Sequence, residues 1–526
     1  MSSMKIAMGV YDAPQQQEQP IFCLELLKNN VAVFGGPMTG KTTFVKTLLF
    51  RLNQDPNMKP EENTYIIDFG GHIGQFGKLA SVCACFDNSN EENIKRVFKT
   101  LETRLVDNSK TLGNENYLSF AKNNPDHCPP HLTLIIENLN AFLSDERYSN
   151  YRDRLLHLCR DGLSKGLSVI ITANDIVGTN RMMSYFGQKI AFEMPADSYF
   201  EIFNTKVVKP MKIPGRGLIN IGSNVFEFQT FMPFAEKTQF DVLFQQSNAR
   251  RNEHRLICFP DILTKENCSQ YCPKKMNEPE NGSVLVGLDY YEQRPVYLNL
   301  LECRSIGIYG KRQFGKTNFL RLLIDGLLSR KEAIRFVMLD DGRKQLVEFC
   351  NANYNNKEVF YYSNVEDFRD YLTENGYGGK RSVRMKNLTI PPQSVDAPLK
   401  QTPFTVFVLQ SKSLFLSIDN PDVSPLMRIM LPDMIANAEA RGYLFIFSDV
   451  KRIPAADVQG SFNSSISTAV LLDNIGEFVA DKGSKSVFSE MDAKELKAEF
   501  AKCSIGDGFF FDVESDILLK MKILKA

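Results

Sequence analysis

Nowhere in the sequence do apolar residues run for the roughly 18–20 positions that a membrane-spanning helix needs. The longest apolar runs, such as Leu132 to Ile136 and Phe404 to Leu409, have the length of buried strands. The N-terminal Met-Ser-Ser-Met-Lys has neither the charged nor the apolar region of a signal peptide. An excess of one charge is missing too: 62 Lys and Arg stand against 62 Asp and Glu. That balance excludes a strongly basic nucleic-acid coat. The 11 cysteines form no regular framework and read as buried or free thiols in a reducing compartment. One tight pair, Cys268 and Cys272, has Cys258 and His254 upstream. A zinc site can be drawn from these four, but their spacing matches no common finger.

The remaining composition, 43% hydrophobic and 24% charged, is that of a globular protein and not of a disordered or collagenous one. At about 150 residues per domain, the 526 residues suggest three units or two large ones, each able to bury a core. Internal repetition decides for two. VAVFGGPMTGKTTFVKTLL from Val31 aligns with IGIYGKRQFGKTNFLRLLI from Ile306, and Pro20 pairs with Pro295 at the same offset. Each copy opens with a Gly, a polar stretch, Pro and a short apolar strand, Gly9 to Leu24 and Gly287 to Leu298. Further on, YIIDFGG from Tyr65 is mirrored by VMLDDGR from Val337, and PHLTLIIEN from Pro130 by PFTVFVLQS from Pro403. KGLSVIITAN from Lys165 matches RGYLFIFSDV from Arg441, and GRGLINIG from Gly215 matches GDGFFFDV from Gly506.

The chain therefore reads as a tandem duplication, with a first domain over 1–245, a polar linker over 246–254 and a second domain over 255–526. Apolar strand-type runs alternate with amphipathic segments such as Thr42 to Leu52 and Asn93 to Leu105. This predicts an α/β fold: two tandem P-loop NTPase (RecA-like) domains, each a mainly parallel sheet flanked by helices.

Both copies carry G-x-x-x-x-G-K-[ST]: Gly35, Gly40, Lys41 and Thr42 in the first, Gly310, Gly315, Lys316 and Thr317 in the second. Glycines let such a loop wrap a polyphosphate with its backbone N–H groups turned inward. The helix that starts at once turns its positive end toward the same phosphates. Lys then reaches the β and γ phosphates, and the Thr hydroxyl ligates magnesium. The expected nucleotide-binding residues are Gly35, Gly36, Pro37, Met38, Thr39, Gly40, Lys41, Thr42 and Thr43, with Gly310, Gly315, Lys316, Thr317 and Asn318 in the second loop.

An ATPase also needs an acid at the end of a neighbouring strand. In the first copy LTLII ends in Glu137-Asn138, so Glu137 is placed with Thr42 on magnesium. Asn138 stands where a catalytic carboxylate often does; it can orient a water but cannot take its proton. In the second copy the matching strand ends in Gln410-Ser411, without a carboxylate, and its loop carries Lys311, Arg312, Gln313 and Phe314. ATP and Mg2+ are expected in the first domain with weak hydrolysis at Glu137 and Asn138, and no catalysis in the second. Asn174 is either a sensor of the γ-phosphate or an ordinary strand-ending Asn. Arg160 and Arg216 are either arginine fingers in a ring or surface residues. Lys380, Arg381, Arg384 and Lys386 lie in a loop that either touches nucleic acid or is simply solvated.

The tandem loops, the PPHLTLIIEN and KGLSVIITAN strands and the PGRGLINIGSNVFEFQ hairpin resemble the FtsK/SpoIIIE family of P-loop motor domains. Within it the chain is similar to the type VII secretion ATPases of the EssC/EccC family, along essentially its whole length. That resemblance implies the C-terminal pair of ATPase domains of a longer, membrane-anchored protein at the cytoplasmic face of the bacterial cell membrane. It implies WXG100-type secreted proteins as partners, recognised by the last domain. The upstream domains of the same ATPase, membrane secretion components and a hexamer of the full-length protein are implied as well. No nucleic acid is expected, although a DNA translocase of the FtsK/SpoIIIE type and a non-hydrolysing nucleotide-gated scaffold are the alternatives. DNA-translocating relatives would be expected to carry an Asp-Glu pair where this chain has Glu137-Asn138.

Overall fold

The computed structural model describes residues 5–54, 63–233, 255–272, 283–291, 293–329, 334–344, 346–348, 358–377, 404–416, 426–448, 466–472, 505–512 and 517–526, together with Gln239, Asp241, Val242 and Gln245. The chain divides into two compact units, Met1–Cys258 and Phe259–Ala526. The expected linker, 246–254, and the basic cluster Lys380, Arg381, Arg384 and Lys386 lie outside the described residues.

The first unit holds ten strands: β1 (Lys5–Tyr11), β2 (Ile21–Glu25), β3 (Val31–Phe34), β4 (Thr64–Asp68), β5 (Val82–Asp87), β6 (Leu132–Glu137), β7 (Leu167–Ala173), β8 (Gln188–Ala191), β9 (Arg216–Ile221) and β10 (Asn224–Thr230). They form one sheet in the order β2-β1-β10-β9-β8-β3-β7-β6-β4-β5. From β8 to β5 the neighbours are parallel, and from β8 to β2 they are antiparallel. The parallel strands are covered on both faces, which explains their near-continuous apolar runs: every residue of β6 and β7 is buried. Successive side chains of β3 enter opposite cores, Val31 and Val33 one and Ala32 and Phe34 the other. The outer β2 shows the alternation of a half-exposed strand.

The second unit repeats this plan strand for strand: β11 (Ser283–Asp289), β12 (Pro295–Asn299), β13 (Ser305–Tyr309), β14 (Ile334–Leu339), β15 (Glu358–Tyr362), β16 (Phe404–Leu409), β17 (Tyr443–Ser448), β18 (Thr468–Leu471), β19 (Asp507–Asp512) and β20 (Ile517–Ile523). Its sheet order is β12-β11-β20-β19-β18-β13-β17-β16-β14-β15. The likeness extends to an irregularity. β1 bulges between Ala7 and Gly9, and β11 between Leu285 and Gly287. At each bulge a Cβ on the glycine would meet a carbonyl oxygen at 2.2 Å, that of Gln229 or of Lys522. Only glycine fits so close a backbone approach. The α/β class and the mainly parallel sheets are thus present in both copies.

In each sheet the strand leading into the glycine-rich loop, β3 or β13, lies in the middle, and its C-terminal end opens where ligands bind in parallel α/β sheets. A helix follows directly, Lys41–Gln54 or Lys316–Leu328.

Candidate functional site

The first loop is held from both sides. Gly35 N–H donates to Ala173 O at the end of β7, and Gly36 N–H donates to Glu193 O just beyond β8. Gly215, at the start of the GRG hairpin, donates its N–H to Thr39 O at 2.9 Å. Gly40 has φ 115°, and a Cβ there would lie 2.7 Å from Gly215 N, so its glycine is required by both conformation and space. Met38 also has positive φ, 61°, with its side chain exposed. Among the described residues no acceptor meets the N–H groups of Met38, Thr39, Gly40, Lys41 and Thr42. They form an anion cradle at a helix N-terminus. Lys41 Nζ bonds Gly35 O and, at 2.8 Å, Gly36 O. Burial pulls its pKa down, and nearby Glu137 opposes that shift.

Glu137 ends β6 beside Asp68, its register partner at the end of β4. It is 4% exposed. Oε1 accepts the Thr42 hydroxyl at 3.1 Å, while the buried Oε2 has no hydrogen-bond partner among the described residues. Burial first, and then the Asp68 charge, push the Glu137 carboxyl above the usual carboxylate range; the Thr42 bond works against them. Such an acid, with a hydroxyl on one oxygen and the other unpaired, suits a hydrated divalent cation. The donor set therefore fits magnesium beside a nucleotide.

Asn138 follows at φ 63°, its N–H donating to Thr172 Oγ1 at 2.8 Å. Asn174 is exposed directly after Ala173, and its N–H is fixed by Asn140 Oδ1 at 2.8 Å. It thus stands at the same sheet end as Gly35. Arg216 faces Glu227 of the adjacent strand at 3.8 Å. Arg160 is exposed and pairs with Asp161 at 2.8 Å.

The second loop keeps the shape of the first. Gln313 has φ 70° and Gly315 φ 95°, and Lys316 Nζ bonds Gly310 O at 2.6 Å and Lys311 O at 2.8 Å. Its acid side is different. Gln410 and Ser411 are both buried, and the Ser411 hydroxyl donates to Asp341 at 2.6 Å. Asp340 remains where Asp68 stands in the first unit, but it accepts from Tyr361 OH at 2.6 Å and Arg343 N–H at 3.1 Å. Asp68 instead accepts from the N–H groups of Gly70, Gly71, His72 and Ile73. The Asn318 side chain donates from Nδ2 to Leu524 O at 2.9 Å and accepts on Oδ1 from Ala526 N–H at 3.0 Å.

Of the suggested zinc ligands, three lie among the described residues. Cys258 closes the first unit and accepts from Asn93 Nδ2 at 3.2 Å, while Cys268 and Cys272 are buried in the core of the second. Among the described residues no three His, Cys, Asp or Glu side chains form a metal-binding group, and His254 lies outside them. No helix among the described residues is long and apolar enough to cross a membrane.

Two features escaped sequence reasoning: the close approach of Gly70 to Glu137, where an added Cβ would lie 1.7 Å from Oε2, and the attachment of Arg255–Cys258 to the first unit. The FGG after Asp68 was the available signal for the first; nothing local marks the second.

No protein-family model matches the chain. In sequence it is 24% identical over 382 residues to the ESX secretion system protein EccC of Geobacillus thermodenitrificans, covering 70% of this chain and 25% of that protein. It is 21% identical over 374 residues to the type VII secretion system protein EssC of Staphylococcus aureus, again covering 25% of that protein. The aligned part spans about a quarter of the length of these curated relatives. Among solved structures, EssC ATPases 2 and 3 from Geobacillus thermodenitrificans superpose with a TM-score of 0.70 at 19% identity, covering 99% of this chain and 96% of that one. EccC ATPases 2 and 3 from Thermomonospora curvata, in complex with a signal sequence peptide, give a TM-score of 0.60 at 18% identity, covering 100% and 93%. By sequence the chain is a homologue of the EssC/EccC type VII secretion ATPases, and along its length it has the fold of their ATPases 2 and 3.

Proposed function

We propose that the chain is the ATP-binding module of a type VII secretion motor in which the first domain binds ATP with magnesium and the second does not turn over nucleotide. The observation that carries this is the pairing of Thr42 with Glu137, whose second oxygen is buried and unpaired, against the neutral Gln410 of the second copy. The amides from Met38 to Thr42 and the Lys41 ammonium would hold the phosphates; Thr42 and Glu137 would hold the cation. Magnesium, when bound, would neutralise phosphate charge. Asn138 and Asn174 can orient a water at the γ-phosphate but cannot take its proton, so hydrolysis in this domain is weak.

In the second domain the loop stands beside the neutral Gln410 where the first has Glu137, and we read this domain as the one that docks WXG100-type secreted proteins. The EccC ATPases 2 and 3 in complex with a signal sequence peptide support secreted-protein binding by such a pair of domains. In the cell the module would act beside upstream domains and membrane secretion components at the cytoplasmic face of the membrane. Balanced charge favours this over a DNA translocase, which would need a basic track. Calorimetry tests the assignment. Lys41→Ala should abolish magnesium-dependent ATP binding, and Lys316→Ala should leave it nearly unchanged; tight binding confined to the second loop would overturn it.

A further inference from the structure

A line of contacts leads from the first site to the segment that continues into the second domain. Phe69 N–H donates to Glu137 O at 3.0 Å, and the four amides that wrap the Asp68 carboxylate turn the chain so that Gly70 lies against Glu137, where an added Cβ would stand 1.7 Å from Oε2. The loop then passes through a short 3-10 helix, Gly74–Lys78, and is anchored by the fully buried Ile73, Phe76 and Leu79. At its far end the Gly77 and Leu79 carbonyls both accept from the Arg255 guanidinium, Leu79 at 3.1 Å.

Arg255 opens a strap laid along the edge of the first sheet. Leu256 N–H donates to Cys83 O of β5 at 2.7 Å, and its side chain is buried in the core. Ile257 O accepts from Arg96 at 3.1 Å, and Cys258 Sγ from Asn93 at 3.2 Å. One ordered loop thus touches the acid of the nucleotide site at one end and the inter-domain strap at the other. A guanidinium can bond two carbonyls at once, and such charge-assisted bonds are strong.

We propose that Arg255 is a positioning residue for the first nucleotide site: by holding Gly77 and Leu79 it keeps loop 69–80 packed against Glu137, so that the cation-binding carboxylate responds to whether the strap is docked. Tension on the segment entering the second domain would then reach the site without any contact to nucleotide. This rests on the reading of Glu137 as the magnesium-side acid.

The test uses the full chain with Arg255→Ala and Arg255→Lys. Hydrogen exchange reads the loop, and a fluorescent ATP analogue titrated with magnesium, or in EDTA, reads the site. Arg255→Ala should speed exchange of the Gly71 and Ile73 amides and raise the magnesium needed for half-maximal binding at least about threefold. Affinity in EDTA should stay unchanged, and Arg255→Lys should fall between. Should Arg255→Ala fail to fold, Arg255→Lys carries the same comparison alone. Unchanged exchange, or faster exchange with an unchanged magnesium requirement, would overturn the inference while the site reading stands. Wild-type protein that binds no magnesium nucleotide would sink the site reading, and this inference with it.

Discussion

The two domains share a sheet order, a glycine bulge and a loop shape, yet differ at the two strand ends beside the loop. In the first, Asp68 is wrapped by backbone amides and Glu137 is left with a free, buried oxygen. In the second, Asp340 is bound by Tyr361 through Oδ1 and keeps a buried, unpaired Oδ2, Gln410 is neutral, and Ser411 turns to Asp341. The hairpin beside the loop differs as well. Arg216 and Glu227 in the first give way to a buried Asp507–Lys522 pair, 2.9 Å apart, in the second. The loop is a property of the fold and persists; the carboxylate is a property of the chemistry and does not. Burying an unpaired acid is costly, and the neutral Gln410 avoids that cost at the strand end where Glu137 bears it.

The sharpest way to break this comparison is Gly70→Ala. Its new Cβ would overlap Glu137 Oε2 and force that carboxylate aside, so the variant should lose most magnesium-dependent ATP binding and about 2 kcal/mol in denaturant unfolding. Gln410→Glu would rebuild the acid in the second domain. It should cost about 2 kcal/mol at neutral pH, because the carboxylate is buried beside Asp340. Its folded pKa would be raised, so the loss should shrink as pH falls toward the ordinary carboxylate value. Magnesium nucleotide that restores its melting temperature would show that the second loop lacks only an acid; no rescue would place the defect in the loop as well.

Smaller effects sharpen the picture. Asn318→Ala should cost about 1 kcal/mol by freeing the C-terminal segment, with ATP binding unchanged. Glu137→Gln should weaken magnesium-dependent binding yet stabilise the ligand-free protein by about 1 kcal/mol or less at neutral pH. Because the Glu137 pKa is raised, that gain should vanish as pH falls through it, which thermal melts across pH can check.

The duplication, the loops and the contrast between Glu137 and Gln410 were legible because each lies in a contiguous run whose residue types carry the signal. Gly35 to Thr42 needs glycine, lysine and threonine by chemistry, and β6 announces itself by LTLII before its acid. The short β8, slotted between β3 and β9, has no such pattern, since QKIA is four ordinary residues placed by their neighbours. The side-chain partners of Asn318 were hidden for a related reason: its place directly after Lys316-Thr317 points to the loop, while those partners lie at the far end of the chain.

Local sequence therefore showed two copies of one pattern, a G-x-x-x-x-G-K-[ST] loop in each, and Gln410 where the first copy has Glu137. Folding alone settled that Glu137 keeps an unpaired oxygen, that Gly70 lies against it, and that residues 255–258 group with the first compact unit. The reason is that most of these contacts end on backbone N–H and C=O groups. Every residue supplies those whatever its side chain, so no pattern of residue types could have announced which of them would meet.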